Sequence, residues 1–240
     1  MFELSARAQD YVERTKQFIQ NEIEPIETDF WHEVHELNQG GDWTKWQWPA
    51  QLETLKAKAK AAGLWNMFLP CPELGQGLSV QEYAHIAELT GRSLLAPTVF
   101  NCNAPDSGNM EVLWRYGSEA QKQEWLTQLL DGKIRSVFCM TEPAVASSDA
   151  TNMQATAVIE GDEIVLNGRK WWSSGLGDPN AKIIIFMAHT PDETKDRHHQ
   201  HSMVLVPVET AGVKIERMLP VFGDYDAPHG HGEISFSNVR

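Results

Sequence analysis

Two stretches of this chain concentrate groups that can hold a flat, polar-edged, phosphate-bearing cofactor. The first is Phe138-Cys139-Met140-Thr141-Glu142-Pro143, continuing to Ser147-Ser148-Asp149. The second, beyond a hairpin signature, is Lys170-Trp171-Trp172-Ser173-Ser174-Gly175. Short hydroxyls and backbone N–H groups leaving a strand serve a ring edge and a pyrophosphate without bulk. An indole covers a ring face, and a hydroxyl beside it can donate to a reactive edge where charge accumulates. Each stretch also has a plain reading. Thr-Glu-Pro followed by Ser-Ser-Asp is ordinary turn composition, and paired tryptophans are core material. Strand neighbours point to opposite faces, so one of the two belongs to the core. Of the pair, Trp172 is the candidate for the cofactor and Trp171 for the core.

Other reactive side chains carry less. Cys71, Cys102 and Cys139 are odd in number and widely spaced, the pattern of neither a disulfide framework nor a zinc site. They read as three reduced thiols, and no His/Asn set points to Cys139 as a nucleophile. Arg197-His198-His199-Gln200-His201 and His229-Gly230-His231 invite a metal, but ligands must converge and be oriented by outer partners. The first cluster lies near Pro191, Asp192 and Asp196, the composition of a solvated loop, so no metal is assigned. Asp149 is placed to cap the following turn, and Glu142 precedes a proline that fixes the loop. Asp224 and Asp226 are candidates for a substrate-side contact and equally for a turn.

The elements that must position these residues change character near residue 132. Before it, apolar residues recur at helical spacing. Tyr11, Val12, Phe18, Ile19, Ile23 and Ile26 mark an amphipathic helix that Pro25 bends or ends. Residues 49–62 form a helix stopped by Gly63. Ser79-Val80-Gln81-Glu82 has capping-box spacing and opens another. Two more run over 108–116 and 118–130, and Gln39-Gly40-Gly41-Asp42 is a loop. After 132 the period shortens to that of strands. These cover 134–140, 153–159 and 163–167 around Gly161-Asp162, then 181–188, 203–208, 213–217 and 233–236. A helical block followed by a β block predicts an α+β chain of two domains.

Composition bounds the partners. The 240 residues carry a net charge of -13, with 42% hydrophobic and 22% charged residues. That balance supports a sizeable core and argues against nucleic acid, whose phosphates need clustered Lys and Arg. The first sixteen residues are charged throughout, unlike a signal peptide. No apolar run approaches a membrane span.

Together the two stretches resemble the flavin-binding signature of acyl-CoA dehydrogenases. Finer resemblance lies in Thr90-Gly91-Arg92-Ser93, in Ala104-Pro105-Asp106-Ser107-Gly108-Asn109-Met110-Glu111 and in Gln200-His201-Ser202-Met203. These look like the subgroup related to mammalian members ten and eleven, which are fused to a phosphotransferase-like domain that is not seen here. The resemblance implies an all-helical N-terminal domain over 1–132 and a mostly antiparallel, barrel-like middle β domain over 133–240. The family's C-terminal four-helix domain is absent from the chain.

The resemblance also implies FAD as cofactor. Phe138, Met140 and Thr141 lie along the flavin, with Thr141 at the pyrimidine edge. Ala146 contributes backbone. Ser147 or Ser148 reaches the pyrophosphate or the pantetheine arm of the substrate. Trp172, Ser173 and Ser174 approach the ring, with Ser174 where the family usually has Thr. One departure stands out: most members have six residues from the motif's Glu to its Asp, and Glu142 to Asp149 is seven. Either serine therefore fits either role.

The implied activity is α,β-desaturation of an acyl-CoA thioester, with electron-transfer flavoprotein as electron acceptor. The implied assembly is a homodimer or tetramer. The compartment is cytoplasmic in a bacterium and mitochondrial or peroxisomal in a eukaryote. The family's catalytic base is expected beyond Arg240, so these residues alone are expected to be inactive and to hold FAD weakly or not at all. Two alternatives remain: a non-catalytic two-domain binding module, and a flavin oxidase or monooxygenase on the same fold.

Overall fold

The computed structural model describes residues 4–147 and 149–240. They fall into two compact units: the chain up to Leu37 with Trp48–Gly132, and Asn38–Gln47 with Lys133–Arg240.

In the helical unit, local signals open and close the helices. α1 (Ala6–Phe18) starts at Ser5, whose hydroxyl accepts from the Ala8 N–H at 3.1 Å. It runs on through one π-helical turn, Ile19–Ile23. α2 (Glu27–Leu37) has no counterpart among the sequence-predicted helices. It buries only Phe30 and Val34, so its apolar repeat is too sparse to read. α3 (Gln51–Ala61) stops before Gly63, whose φ of +66° suits a residue without Cβ. α4 (Val80–Thr90) opens with both bonds of the Ser79/Glu82 capping box. α5 (Ala96–Val99) and α6 (Asp106–Tyr116) follow. A last helical run joins Glu119–Gln121, Lys122–Leu126 and Thr127–Leu130. Its final carbonyls are satisfied by two asparagines. Asn101 Nδ2 donates to the Leu129 carbonyl at 2.9 Å, and Asn66 Nδ2 to that of Leu130 at 3.0 Å. Ile23, Phe30, Leu52, Leu64, Ile86 and Phe100 centre the core.

In the second unit the described residues form one mixed sheet. Its strands are β1 (Arg135–Cys139), β2 (Thr156–Glu160), β3 (Glu163–Ser174), β4 (Ala181–His189), β5 (His201–Pro207), β6 (Val213–Met218) and β7 (His231–Val239). The order is β1-β4-β2-β3-β7-β6, with β5 paired to β4. β1 and β2 pair with β4 in parallel, and the other described pairings are antiparallel. β4 is central, so Ile183, Ile184, Ile185 and Phe186 are all buried, as its unbroken apolar run predicts. The loop 38–47 lies inside the helical stretch of the sequence yet packs here, with Trp46 in the sheet's core. Glycine is required beneath that indole: a Cβ on Gly177 would come within 2.6 Å of Trp46 Cζ3.

β3 is the longest strand and the one that matters most for the site. Its first half makes the hairpin with β2; its second half carries the second chemistry-bearing stretch along β7. The β3–β7 register shifts twice, between Leu166 and Gly168 and between Lys170 and Ser173. The second irregularity holds Trp172 at φ +52°, a conformation that a bulky L-residue adopts only when its surroundings impose it.

Candidate functional site

The two stretches do meet. After β1 ends at Cys139, the chain passes beside β3, and the Trp171 N–H donates to the Thr141 carbonyl at 3.0 Å. Lys170 then ties them from inside. Its Nζ donates to the Met140 carbonyl at 2.9 Å and to Glu142 Oε1 at 2.8 Å, with the side chains of Lys170 and Glu142 only 0% and 4% exposed. The same carboxylate accepts the N–H groups of Gln154 at 2.8 Å and Ala155 at 3.0 Å. Burial pulls the Lys170 ammonium below the ordinary lysine range, and the Glu142 carboxylate opposes that shift. Glu142 is thus the post on which the whole loop hangs.

The loop between them is folded on itself. Ser147 is buried; its Oγ accepts from the Glu142 N–H at 3.0 Å and lies 3.3 Å from the Glu142 carbonyl. Its hydroxyl therefore serves the loop. Ser148 lies outside the described residues. Ala146 is exposed and offers backbone, its carbonyl accepting from Asn152 Nδ2 at 3.4 Å. Asp149 caps the turn Ala150–Asn152 by accepting from the Thr151 N–H at 2.9 Å. Phe138 is a half-buried β1 residue opposite Ile185, Met140 is 38% exposed, and Thr141 is half-buried.

On β3 the irregular register sorts the side chains. Trp172 projects outward, 41% exposed, whereas Trp171 is half-buried. Ser173 is 1% exposed, and its hydroxyl is buried in the core. Ser174 sits opposite His231 in the β3–β7 register, and its Oγ is 2.9 Å from His231 Nδ1. His231 Nε2 in turn is 3.4 Å from Asp226 Oδ2. The His231 ring lies beside the Trp172 indole, with centroids 6.3 Å apart. Sequence reasoning weighed His231 for a metal and Asp226 for a turn or a substrate-side contact, but did not join either to Ser174. The link is a cross-strand register 57 residues away, which no local pattern reports.

The remaining candidates are placed plainly. Among the described residues no group of three or more His, Cys, Asp or Glu side chains converges as a metal site would require. His198 and His199 lie in the exposed turn Arg197–His199, while His201 faces His189 across β5 and β4. His229 stacks edge-on to His231, and burial, then Arg135, holds its imidazole below the usual histidine range against the pull of Asp226 and Asp178. Burial pushes the Cys139 thiol up to about 12. A separate groove of about 550 Å³ opens beside Pro143, Gln154, Thr156 and Arg169; neither Trp172 nor Ser174 lines it. No helix among the described residues is long and apolar enough to cross a membrane.

A helical unit is followed by a mixed sheet in which the β1 exit runs beside β3. The family model for the acyl-CoA dehydrogenase N-terminal domain matches residues 5–133, and that for the middle domain matches residues 137–239. The chain belongs to the acyl-CoA dehydrogenase family. Within it, the chain is similar to the relatives named family members 11 and 10. Member 11 of Gallus gallus is 49% identical over 241 residues, covering 100% of this chain and 30% of the relative. A solved Mycobacterium abscessus structure described as an acyl-CoA dehydrogenase is 60% identical, with a TM-score of 0.93 over 99% of this chain and 59% of that one. The fold extends to a Mycobacterium smegmatis glutaryl-CoA dehydrogenase in complex with FADH2. That likeness has a TM-score of 0.71 at 23% identity over 99% of this chain and 54% of that chain. The chain thus spans under a third of the length of the member 11 relative and somewhat over half of the solved ones.

Proposed function

We propose that these residues form the helical portion and one flavin wall of an FAD-dependent acyl-CoA dehydrogenase. The observation that carries the reading is Trp172. A large aromatic residue is held outward at φ +52°, next to Trp171, whose N–H meets the Thr141 carbonyl, and beside His231, which the Ser174 hydroxyl contacts. Strain of that kind persists where a site requires it. The residues fit a flavin. Trp172 offers an indole to a ring face, Thr141 a hydroxyl to a pyrimidine edge, and Ser174 a hydroxyl to the redox-active edge. The bound flavin supplies the hydride acceptor for the β-carbon of the thioester.

The protein's own part is positioning and exclusion of water. Glu142 is engaged by Lys170 and two amides, so it is unsuited to abstract the α-proton, and we place that base outside the residues described here. The two stretches wall one side of a ring, so the 240 residues alone hold FAD weakly and do not turn over. Acyl-CoA thioesters are the substrate class and electron-transfer flavoprotein the acceptor in this reading. Anaerobic titration of the full-length protein with saturated acyl-CoAs of several chain lengths tests it. Bleaching of the flavin absorbance by at least one thioester, with slow reoxidation in air, is expected. A full-length protein that carries no flavin, or whose flavin no acyl-CoA reduces, rules the reading out, and fast reoxidation by oxygen makes it an oxidase instead.

A further inference from the structure

His231 and Asp226 form an ordered pair behind Ser174 that the family reading leaves without a role. Ser174 has one hydroxyl proton, and the direction in which it points is a matter of counting donors. His231 Nδ1 is 2.9 Å from Ser174 Oγ, and His231 Nε2 is 3.4 Å from Asp226 Oδ2. A carboxylate accepts only, so Asp226 favours a proton on Nε2. A neutral ring with its proton on Nε2 has a lone pair on Nδ1. That lone pair can only accept, so the Ser174 proton turns toward His231.

The pair is built into the fold. Gly175 and Gly177 at the end of β3 donate to the carbonyls of Gly230 at 2.9 Å and His229 at 3.0 Å. The Gly230 N–H donates to the Asp226 carbonyl at 2.9 Å, and the Asp226 N–H to Asp224 Oδ1 at 2.9 Å. The loop that carries Asp226 is thereby clipped to the strand that carries Ser174. The ring of His231 is bounded by the Trp172 indole and the half-buried His229.

We propose that His231, its tautomer held by Asp226, is a positioning residue that draws the Ser174 proton inward, so that Ser174 turns acceptor lone pairs toward the outer face of β3. On the flavin reading above, on which this consequence rests, the acceptor faces a ring nitrogen that bears a proton only when the ring is reduced. The pair then favours the reduced cofactor by accepting from it. On sequence alone this hydroxyl is a donor to the reactive edge; with its proton engaged by His231, Ser174 is an acceptor there instead.

Histidine-selective ¹⁵N NMR on the 240-residue chain at mildly alkaline pH reads the pair directly and needs no flavin. The His231 signals are assigned by their loss in H231F. The expected spectrum shows Nε2 protonated and Nδ1 bare. Ser174→Ala moves the Nδ1 signal, and Ser174→Thr, which keeps the hydroxyl, restores it. Asp226 sits at φ +54°, a conformation that Asn also tolerates, so Asp226→Asn fits the same backbone. It should lower the ratio of the two tautomers by roughly fivefold, the worth of one partly exposed contact. A protonated Nδ1 in the native chain, or His231 signals identical in wild type, S174A and D226N, overturns the proposal. In the full-length flavoprotein, H231F should make the flavin midpoint potential more negative. A full-length protein without flavin would remove the flavin reading, while the NMR spectra would still decide how His231 and Ser174 share their proton.

Discussion

Lys170 lies directly against Glu142, Nζ to Oε1 at 2.8 Å, with both side chains buried, Lys170 also donating to the Met140 carbonyl and Glu142 also accepting from the Gln154 and Ala155 N–H groups. A buried ion pair of this kind adds little net stability over an apolar pair of the same shape, but its disruption is expensive because one charge is left behind without a partner. Its position explains its use. It joins the loop after β1, the start of β2 and the middle of β3, the three segments that must be in register for the site to exist.

Removing either partner should therefore unfold the β unit before it touches chemistry. Glu142→Ala or Lys170→Met is expected to cost about 3–5 kcal/mol. The double substitution E142Q/K170M should recover part of that loss, since no charge remains stranded. Urea unfolding of the four chains measures it. Single variants within about 1 kcal/mol of wild type would show that the pair is incidental.

Gly168 marks a second constraint on the same strand. A Cβ there would lie 2.4 Å from Ala155 Cβ and 2.9 Å from Ala155 Cα, closer than real contacts allow. Gly168→Ala should lower stability by about 1–3 kcal/mol or more through overpacking. Gly161, at φ +65° in the hairpin turn with open space around it, is the control; its replacement by Ala should cost less. A melting temperature for G168A at or above that of G161A would contradict the packing argument.

How far the sequence alone reaches is clear from these residues. Ser79 and Ser118 announced their helices because capping is a contact between near neighbours. β4 announced itself through an unbroken apolar run. Strand alternation separates Trp171 from Trp172 without saying which of them faces outward, and the irregular register that sets the Trp172 backbone is not legible in the sequence. What stayed hidden is non-local. Lys170 reads as an ordinary strand lysine, and nothing near it in sequence says that it reaches Glu142 across 28 residues. Trp46 reads as part of a helical stretch, yet it fills the core of the sheet. Ser147 reads as a free hydroxyl until the loop closes on it.

The cysteines supply a pH window. Burial raises Cys139 from 9.0 to about 12 and Cys102 from 9.0 to about 11. A thiol whose folded value is raised keeps its stabilising effect below the unfolded value and loses it as pH climbs toward the folded one. Stability should thus fall from about pH 9 upward, with each group contributing at most about 1.4 kcal/mol per pH unit. In the native chain at pH 8, the Cys139 thiol should resist alkylation until the protein is unfolded by urea, and the half-buried Cys102 should label sooner. Rapid native labelling of Cys139, read by peptide mass spectrometry, would be incompatible with its burial.

His229 works at the acid end with the opposite sign. Its folded value is lowered from 6.5, chiefly by burial and then by Arg135. The unfolded chain then binds the proton more tightly, so the group's contribution is present above pH 6.5 and drains away as pH falls through the folded value. His229→Gln should flatten the loss of stability below that point while changing stability at pH 8 much less. Parallel acid-unfolding curves for the variant and the wild type would show that some other group sets the acid limb.

Trp172 gives the sharpest separation of structure from function. Its backbone sits at φ +52°, which costs an L-residue about 1–2 kcal/mol and glycine nothing. Its ring is 41% exposed, with Trp171 and His231 as its ring neighbours at 6.2 Å and 6.3 Å. Relief of strain in Trp172→Gly therefore offsets most of the lost packing and the added backbone freedom. The variant should stay within about 1 kcal/mol of wild type, whereas deleting a buried tryptophan costs about 3–5 kcal/mol. If the indole lies against the flavin, the full-length variant should bind FAD on the order of tenfold more weakly, the worth of one aromatic stacking contact. Trp172→Leu keeps the strain and loses the indole, so it should be the less stable of the two while binding FAD equally poorly. Thermal melts and FAD fluorescence titrations of both variants decide the matter. A large stability loss in W172G with FAD affinity unchanged would make Trp172 a structural residue and leave the flavin face to other groups.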